Sequence, residues 1–222
     1  MILIDRFSND HYFEKRFWST FLMSSVIVID GHAHVQGRLA AAIAKQLLNG
    51  KRIVVVRAED IVMNGDHRFN YHKYRRFLNK RTNTNPRDGP FHQRAPSEIF
   101  LRSVRGMIPY RTTRGANAFA NLKVFEGIPP KYQSCPRLVI PSALRIVAIH
   151  HERPVTRIGK LSTTFGWKYG EVVKNIENQR KEKAAARWES LKAEKTKKER
   201  AIANANKQLG EKAAKFLETY VE

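Results

Sequence analysis

The octapeptide GHAHVQGR at residues 31–38 follows an apolar run and precedes an Ala- and Leu-rich segment. In that setting a glycine-rich loop can cradle phosphate at a helix N-terminus. Phosphate loops of NTPases place four residues between their glycines and follow the second with Lys and then Ser or Thr. Here five residues separate Gly31 from Gly37 and Arg38-Leu39 follows, so the hydroxyl that would hold magnesium is missing. What remains is a helix start at which Gly37 and Arg38 could meet a phosphate. His32 with His34, and His150-His151 with Glu152, have the side chains of metal ligands, but neither place completes a ligand set. Polar contact is the simpler reading of both. Cys135 is the only cysteine, so neither an internal disulfide nor a cysteine-based zinc site is possible. It lies beside Pro136 with no evident base, which argues against a catalytic thiol.

The residue types favour anion recognition instead. Residues 67–114 hold 12 Lys or Arg against Asp88 and Glu98 alone. His67, His72 and His92 lie among them, with Phe69, Tyr71, Tyr74, Phe77 and Phe91 interleaved. An ordinary solvated face mixes both signs of charge, and this one does not. Guanidinium forks match phosphate oxygens, and aromatic or guanidinium planes stack on unpaired bases. The segment therefore reads as an RNA-binding surface. Arg68, Lys73, Arg75, Arg76, Lys80, Arg81, Arg87 and Arg94 are expected on phosphates, and Asn83, Asn85 and His92 on sugars or bases. Arg102, Arg105, Arg111 and Arg114 extend the surface, and Arg38 and Lys168 complete the candidate set. Phe77 and Leu78 are expected in the core. Trp167 reads as an anchor for the segment that follows it, with stacking on a base as the alternative.

The whole chain agrees with a polyanionic partner. Its 222 residues carry a formal charge of +21, with 42% of them hydrophobic. That is enough apolar material for one core, and a charge that opposes compaction unless it is met by anions. Residues 1–170 hold 28 basic and 11 acidic side chains, so most of the excess lies there. No apolar run reaches the length of about 18 residues that a membrane helix needs. A single cysteine suits a reducing compartment.

Several elements must position these side chains. Residues 26–29 and 53–56 are β-branched apolar runs, as expected of strands buried on both faces. Residues 39–48 read as a helix stopped by Asn49-Gly50, which makes a right-handed strand–helix–strand crossover and a parallel sheet. A basic helix is predicted over 66–79, a functional loop over 80–96, a helix from a Ser97 cap to about Met107, and a short helix over 117–124. Residues 138–140 and 144–149 are further strand candidates, the second the better because Pro141 interrupts the first. Residues 171–222 carry 13 Lys or Arg and 9 Glu with no Pro, a long helical tail of mixed charge. Residues 1–24 read as an extension. Their apolar stretch is broken by serines and threonine and merges into the first strand, unlike a signal peptide. Asp5, Asp10 and Glu14 are unlike a mitochondrial presequence, and Met23 is an alternative start.

Between about Val26 and Arg187 the chain resembles the universal large-subunit ribosomal protein thirteen family, in the eukaryotic form often called thirteen-a. The resemblance rests on VIVIDGHAHVQGRLAAAIAKQLL (26–48), RTNTNPRDGPFHQRAPSEIFLRSVRGMIPYRTTRG (81–115), LKVFEGIPPKY (122–132) and GWKY (166–169), long stretches in the same order. It departs from the family pattern in its N-terminal segment and at His32-Ala33-His34. It implies a three-layer α/β/α sandwich around a small, mainly parallel four-stranded sheet, with a C-terminal helical extension. The division would be an extension over 1–24, an RNA-binding domain over 25–165 and a helical tail over 166–222. It further implies binding and ordering of large-subunit ribosomal RNA beside neighbouring ribosomal proteins of the cytosolic ribosome, with assembly in the nucleolus. No enzymatic activity, cofactor, metal, membrane or small-molecule substrate comes with it. The alternative is an RNA-binding regulator of translation that works off the ribosome.

Overall fold

The computed structural model describes the backbone of residues 26–221 and the side chains of residues 26–210. The extension expected over residues 1–24 lies outside the described residues. One compact unit runs to Val173 and a second begins at Lys174. The first unit holds β1 (Ile27–Asp30), α1 (Gln36–Leu48), β2 (Ile53–Val56), β3 (Val62–Asn64), α2 (His67–Leu78), α3 (Pro96–Gly106), α4 (Thr113–Ala120), β4 (Leu122–Val124), α5 (Arg145–Ala148), β5 (Val155–Arg157) and α6 (Ile158–Thr164). The helix α7 (Gly170–Val221) begins in the last residues of the first unit and makes up the second from Lys174 onward.

Every residue of β1 and β2 is buried, and all but Asp30 belong to the apolar runs that such burial requires. They pair in parallel from Ile27–Ile53 to Asp30–Val56, with α1 as the crossover, and β2 pairs in parallel with β4. Alternate side chains serve opposite faces. Ile27, Ile29, Ile53 and Val55 pack with Leu39, Ile43 and Leu47 of α1 and with Ile99, Phe100 and Val104 of α3. Val28, Val54 and Val56 face Ile128, Phe125 and Tyr132. Among the described residues the sheet has three strands in the order β1-β2-β4, not the four expected. Leu138 holds the next place as a single parallel bridge to Ile29. Its amide donates to Val28 O and its carbonyl accepts from the Asp30 amide. Pro136 and Pro141 keep that pairing from spreading, because neither can donate to a ladder.

Three local expectations are corrected. Residues 144–149 do not form a strand: Arg145 N donates to Ala33 O at 2.9 Å, and the chain winds into the single turn α5. The predicted helix over 117–124 divides, with α4 starting earlier at Thr113 and residues 122–124 becoming β4. Ser97 does not cap α3. The cap position is Ala95, and the Ser97 amide and hydroxyl both donate to the Glu126 carboxylate. A negative group from a distant loop thus stands at the positive end of that helix.

Two polar groups hold the edge where β1 and β2 end. The His34 ring is fully buried. Its Nδ1 pairs with His32 O at 2.9 Å, and its Nε2 accepts from the Ile140 amide at 3.0 Å. This fixes the neutral ring with the proton on Nδ1. Burial is the main cause that lowers its pKa below 6.5. A depressed histidine stabilises the fold fully above the unfolded value, and that contribution is lost as pH falls from there through the folded value. His34→Leu is expected to cost about 1–3 kcal/mol in chemical denaturation, because it leaves the buried Ile140 amide unmatched. It should also remove part of the stability loss between neutral and mildly acidic pH. A variant with wild-type midpoints at both pH values would refute the clip.

Beside it, Asp30 receives a two-pronged hydrogen bond from Arg57, Nε to Oδ1 at 2.8 Å and Nη2 to Oδ2. The His32 amide adds a third at 3.1 Å. Burial works to raise the Asp30 pKa, but the Arg57 and His32 hydrogen bonds and the charges of Arg57 and Arg137 together hold it below 3.8. Arg57 adopts a left-handed backbone, φ +57°, an uncommon state for a residue with a Cβ.

Candidate nucleic-acid interface

The basic helix α2 starts where Asp66 Oδ1 accepts from the His67 amide at 2.6 Å, and its apolar face is weak. Its only buried residue is Asn70, whose amide nitrogen meets the carbonyls of Asn64 and Gly65 and the hydroxyl of Thr156 at 3.0–3.2 Å. β3 and β5, an antiparallel pair, carry these partners. Tyr71 stacks on Phe165 with ring centres 4.9 Å apart, and Tyr74 lies at 4.9 Å from the same ring. Asn70, Tyr71, Tyr74 and Phe77 take the inner side of the helix, so the 3.6-residue period turns the remaining side chains outward. Arg68, Lys73, Arg75 and Arg76 are exposed on it, as is Lys80 just beyond its end.

The loop that follows is closed on itself and tied to α2. Asn85 Oδ1 accepts from the Arg87 amide at 3.1 Å, and its Nδ2 donates to Asp88 at 2.7 Å. Thr82 packs so tightly on Gly89 that a Cβ there would lie 3.0 Å from its hydroxyl. Asn85 thus spends its amide within the turn, while Arg81, Asn83 and Arg87 project from it, exposed. Farther on, Tyr74 Oη donates to Gln93 O, and the His92 ring meets the edge of Phe77 at 4.5 Å. His92 is half-buried, and its Nε2 has no hydrogen-bond partner among the described residues. Between these two tethers and Gly89 stands Phe91, 84% exposed.

The expectation that Phe77 and Leu78 belong to the core is corrected, because both are half-buried. The Arg102 guanidinium lies over the Phe77 ring, 3.3 Å from its centre. Arg94 reaches toward Gly166, where a Cβ would stand 3.6 Å from its Nη1. Burial raises the Tyr74 pKa, and the charges of Arg102 and Arg94 oppose it, so both cations lie near one phenol. The structure therefore brings α2, the 80–95 loop, α3 and the end of α6 together around Tyr74, Phe77 and Phe165. Phe165 was missed in the sequence, where it stands alone between Thr164 and Gly166.

The other candidates lie outside this cluster. Arg105, exposed one turn beyond Arg102, lies over the Tyr110 ring at 4.1 Å. The Tyr110 pKa is lowered first by a hydrogen bond with Arg111 and then by the charges of Arg111 and Arg105. Arg114 is exposed in the first turn of α4, which Thr112 caps through the Gly115 amide at 3.2 Å. Arg38 is exposed at the start of α1 and donates to Ser142 O at 3.4 Å. Lys168 is exposed between Trp167 and Tyr169. Trp167 is half-buried, with its ring 3.5 Å from where a Gly170 Cβ would stand.

The 31–38 loop offers no phosphate cradle. The amides of Gly31, Ala33, His34 and Val35 donate to the carbonyls of Val56, Asp60, Gly31 and Ala143, and the His32 amide donates to Asp30. Only the first amides of α1 remain. Among the described residues no three His, Cys, Asp or Glu side chains are placed to hold a metal ion. No helix among them is long and apolar enough to cross a membrane. Residues 24–131, just under half of the chain, match the family model described as ribosomal protein L13.

Proposed function

We propose that the chain is a structural constituent of the large subunit of the cytosolic ribosome, on the premise that residues 24–131 form a ribosomal protein L13 domain. That family is one of structural ribosomal proteins, and its partners are ribosomal RNA and other ribosomal proteins. In this reading the chain binds and orders large-subunit RNA, first in the nucleolus and then in the mature particle. The long helix α7 supports the eukaryotic thirteen-a form. The division would be a 1–24 extension, a layered body over 25–165 and a tail over 166–222.

The observation that carries the RNA reading is a basic surface presented by folded elements. Arg68, Lys73, Arg75, Arg76, Lys80, Arg81, Arg87 and Arg94 are all exposed, and they come from one helix and one closed loop. They would take phosphates, as would Arg38, Arg102, Arg105, Arg111, Arg114 and Lys168. Asn83 would reach a sugar or base. Asn85 and His92 would act mainly by fixing the loop. Sedimentation tests the whole: the chain is expected to co-migrate with large subunits through a moderate-salt gradient. A chain confined to ribosome-free fractions would point to a regulator of messenger RNA.

Phe91 has a sharper role. Its ring is exposed between arginines while its neighbours on both sides are tethered, the arrangement of a stacking platform for an unpaired base. Phe91→Ala is expected to weaken RNA binding by about 1–3 kcal/mol, and Phe91→Trp to retain it with quenched fluorescence. Full affinity in the Ala variant would remove the ring from the contact.

A further inference from the structure

The second unit carries a repeat that its mixed charge hides. Ala184, Trp188, Leu191, Lys195, Lys198, Ile202, Ala205 and Leu209 follow one another at alternating steps of four and three residues. All lie on α7, so they form one seam with the spacing of a two-stranded coiled coil. Trp188, Ile202 and Leu209 are 68%, 61% and 64% exposed. Six of the eight seam residues are apolar, and the two that are not sit together in the middle. Lys195 lies 3.8 Å from Glu199, an exposed pair within the helix that a partner can displace at little cost.

We propose that this seam docks an amphipathic helix of another protein, one that faces Trp188, Leu191, Ile202 and Leu209 with aliphatic residues and Lys195 and Lys198 with Asp or Glu. The lysines argue against a second copy of the chain. In a parallel in-register pair each meets its own counterpart, while flanking Arg187 faces Lys192 and Glu194 faces Glu199. In an antiparallel pair centred on the lysines, Lys195 meets Lys198. A polar residue within a seam lowers stability but selects the partner that neutralises it. An RNA groove would satisfy the lysines but leave the apolar residues on either side of them without apolar cover.

Two synthetic helical peptides serve as probes. They share a Leu-rich seam and differ only in what faces Lys195 and Lys198, Glu in one and Lys in the other. The full-length chain is expected to bind the Glu peptide about tenfold or more tightly than the Lys peptide. Lys195→Glu with Lys198→Glu should reverse that order. Equal binding of the two peptides, or binding of neither, overturns the proposal. Self-association of the full chain that is lost in Leu191→Glu also overturns it, because a second copy is then the occupant. So does an RNA duplex that shields Trp188 from a quencher in a chain carrying Trp18→Phe and Trp167→Phe, which would assign the seam to nucleic acid.

Discussion

Replacing Arg81, Arg87 and Arg94 together by Ala is expected to weaken the binding of large-subunit RNA by several kcal/mol, at roughly 1–3 for each charge-assisted contact. The three are exposed and none belongs to the core, so the thermal transition of the free protein should stay where it is. The backbone of two of them is fixed in advance: Arg87 by the Asn85 turn, and Arg94 by the neighbouring Tyr74–Gln93 bond. Little ordering is then required when phosphate arrives. Counterion release supplies a second readout, because each lost phosphate contact lowers the slope of log K against log salt by about 0.7–0.9. A flattening of about 2–3 is expected for the triple variant. Filter binding across a salt series measures both. Unchanged affinity and slope would take the loop out of the interface.

Asp30→Ala is expected to cost the folded state about 3 kcal/mol, the low end for a broken buried ion pair, because Arg57 keeps some contact with water. The loss would have three parts. The two-pronged bond to Arg57 disappears, the His32 amide loses its acceptor, and the left-handed backbone at Arg57 loses the contact that offsets its strain. Asp30→Asn should lose less, because it keeps an acceptor for the His32 amide. The pH dependence gives an independent reading. A carboxylate held below its ordinary value contributes stability above the unfolded pKa and loses it as pH falls through the folded one. Acid unfolding of the Ala variant should therefore be shallower below about pH 4. A wild-type denaturation midpoint would show that the Arg57 fork is decorative.

The elements legible in the sequence are those whose signals are local. The apolar runs at 26–29 and 53–56 and the helix between them follow from composition and period, and the first strand forms one residue later, at 27–30. Asp66 marks the start of α2, and the Asn- and Pro-rich loop declares itself by residue type. The misses are places where a distant contact decides. Residues 122–124 look like the end of a helix, and only the edge of β2 makes them a strand. The β-branched pair Ile146-Val147 reads as buried strand, yet both side chains are exposed on α5. Ser97 has the chemistry of a cap, but Glu126 takes that place from across the fold. The site followed the same rule. Its cations were countable, whereas Phe165 beneath Tyr71 and Tyr74, and Arg102 over Phe77, depend on packing between elements.

The way α2 is fastened bears on how it behaves. One buried amide and a few ring contacts attach this helix, whereas α1 is held by five buried aliphatic or methyl side chains. Its local opening should demand far less free energy than global unfolding, so it can swing or fray while the sheet stays whole. If the proposed RNA contact is made, a cationic lever on such a light hinge can settle against the irregular polyanion after first encounter.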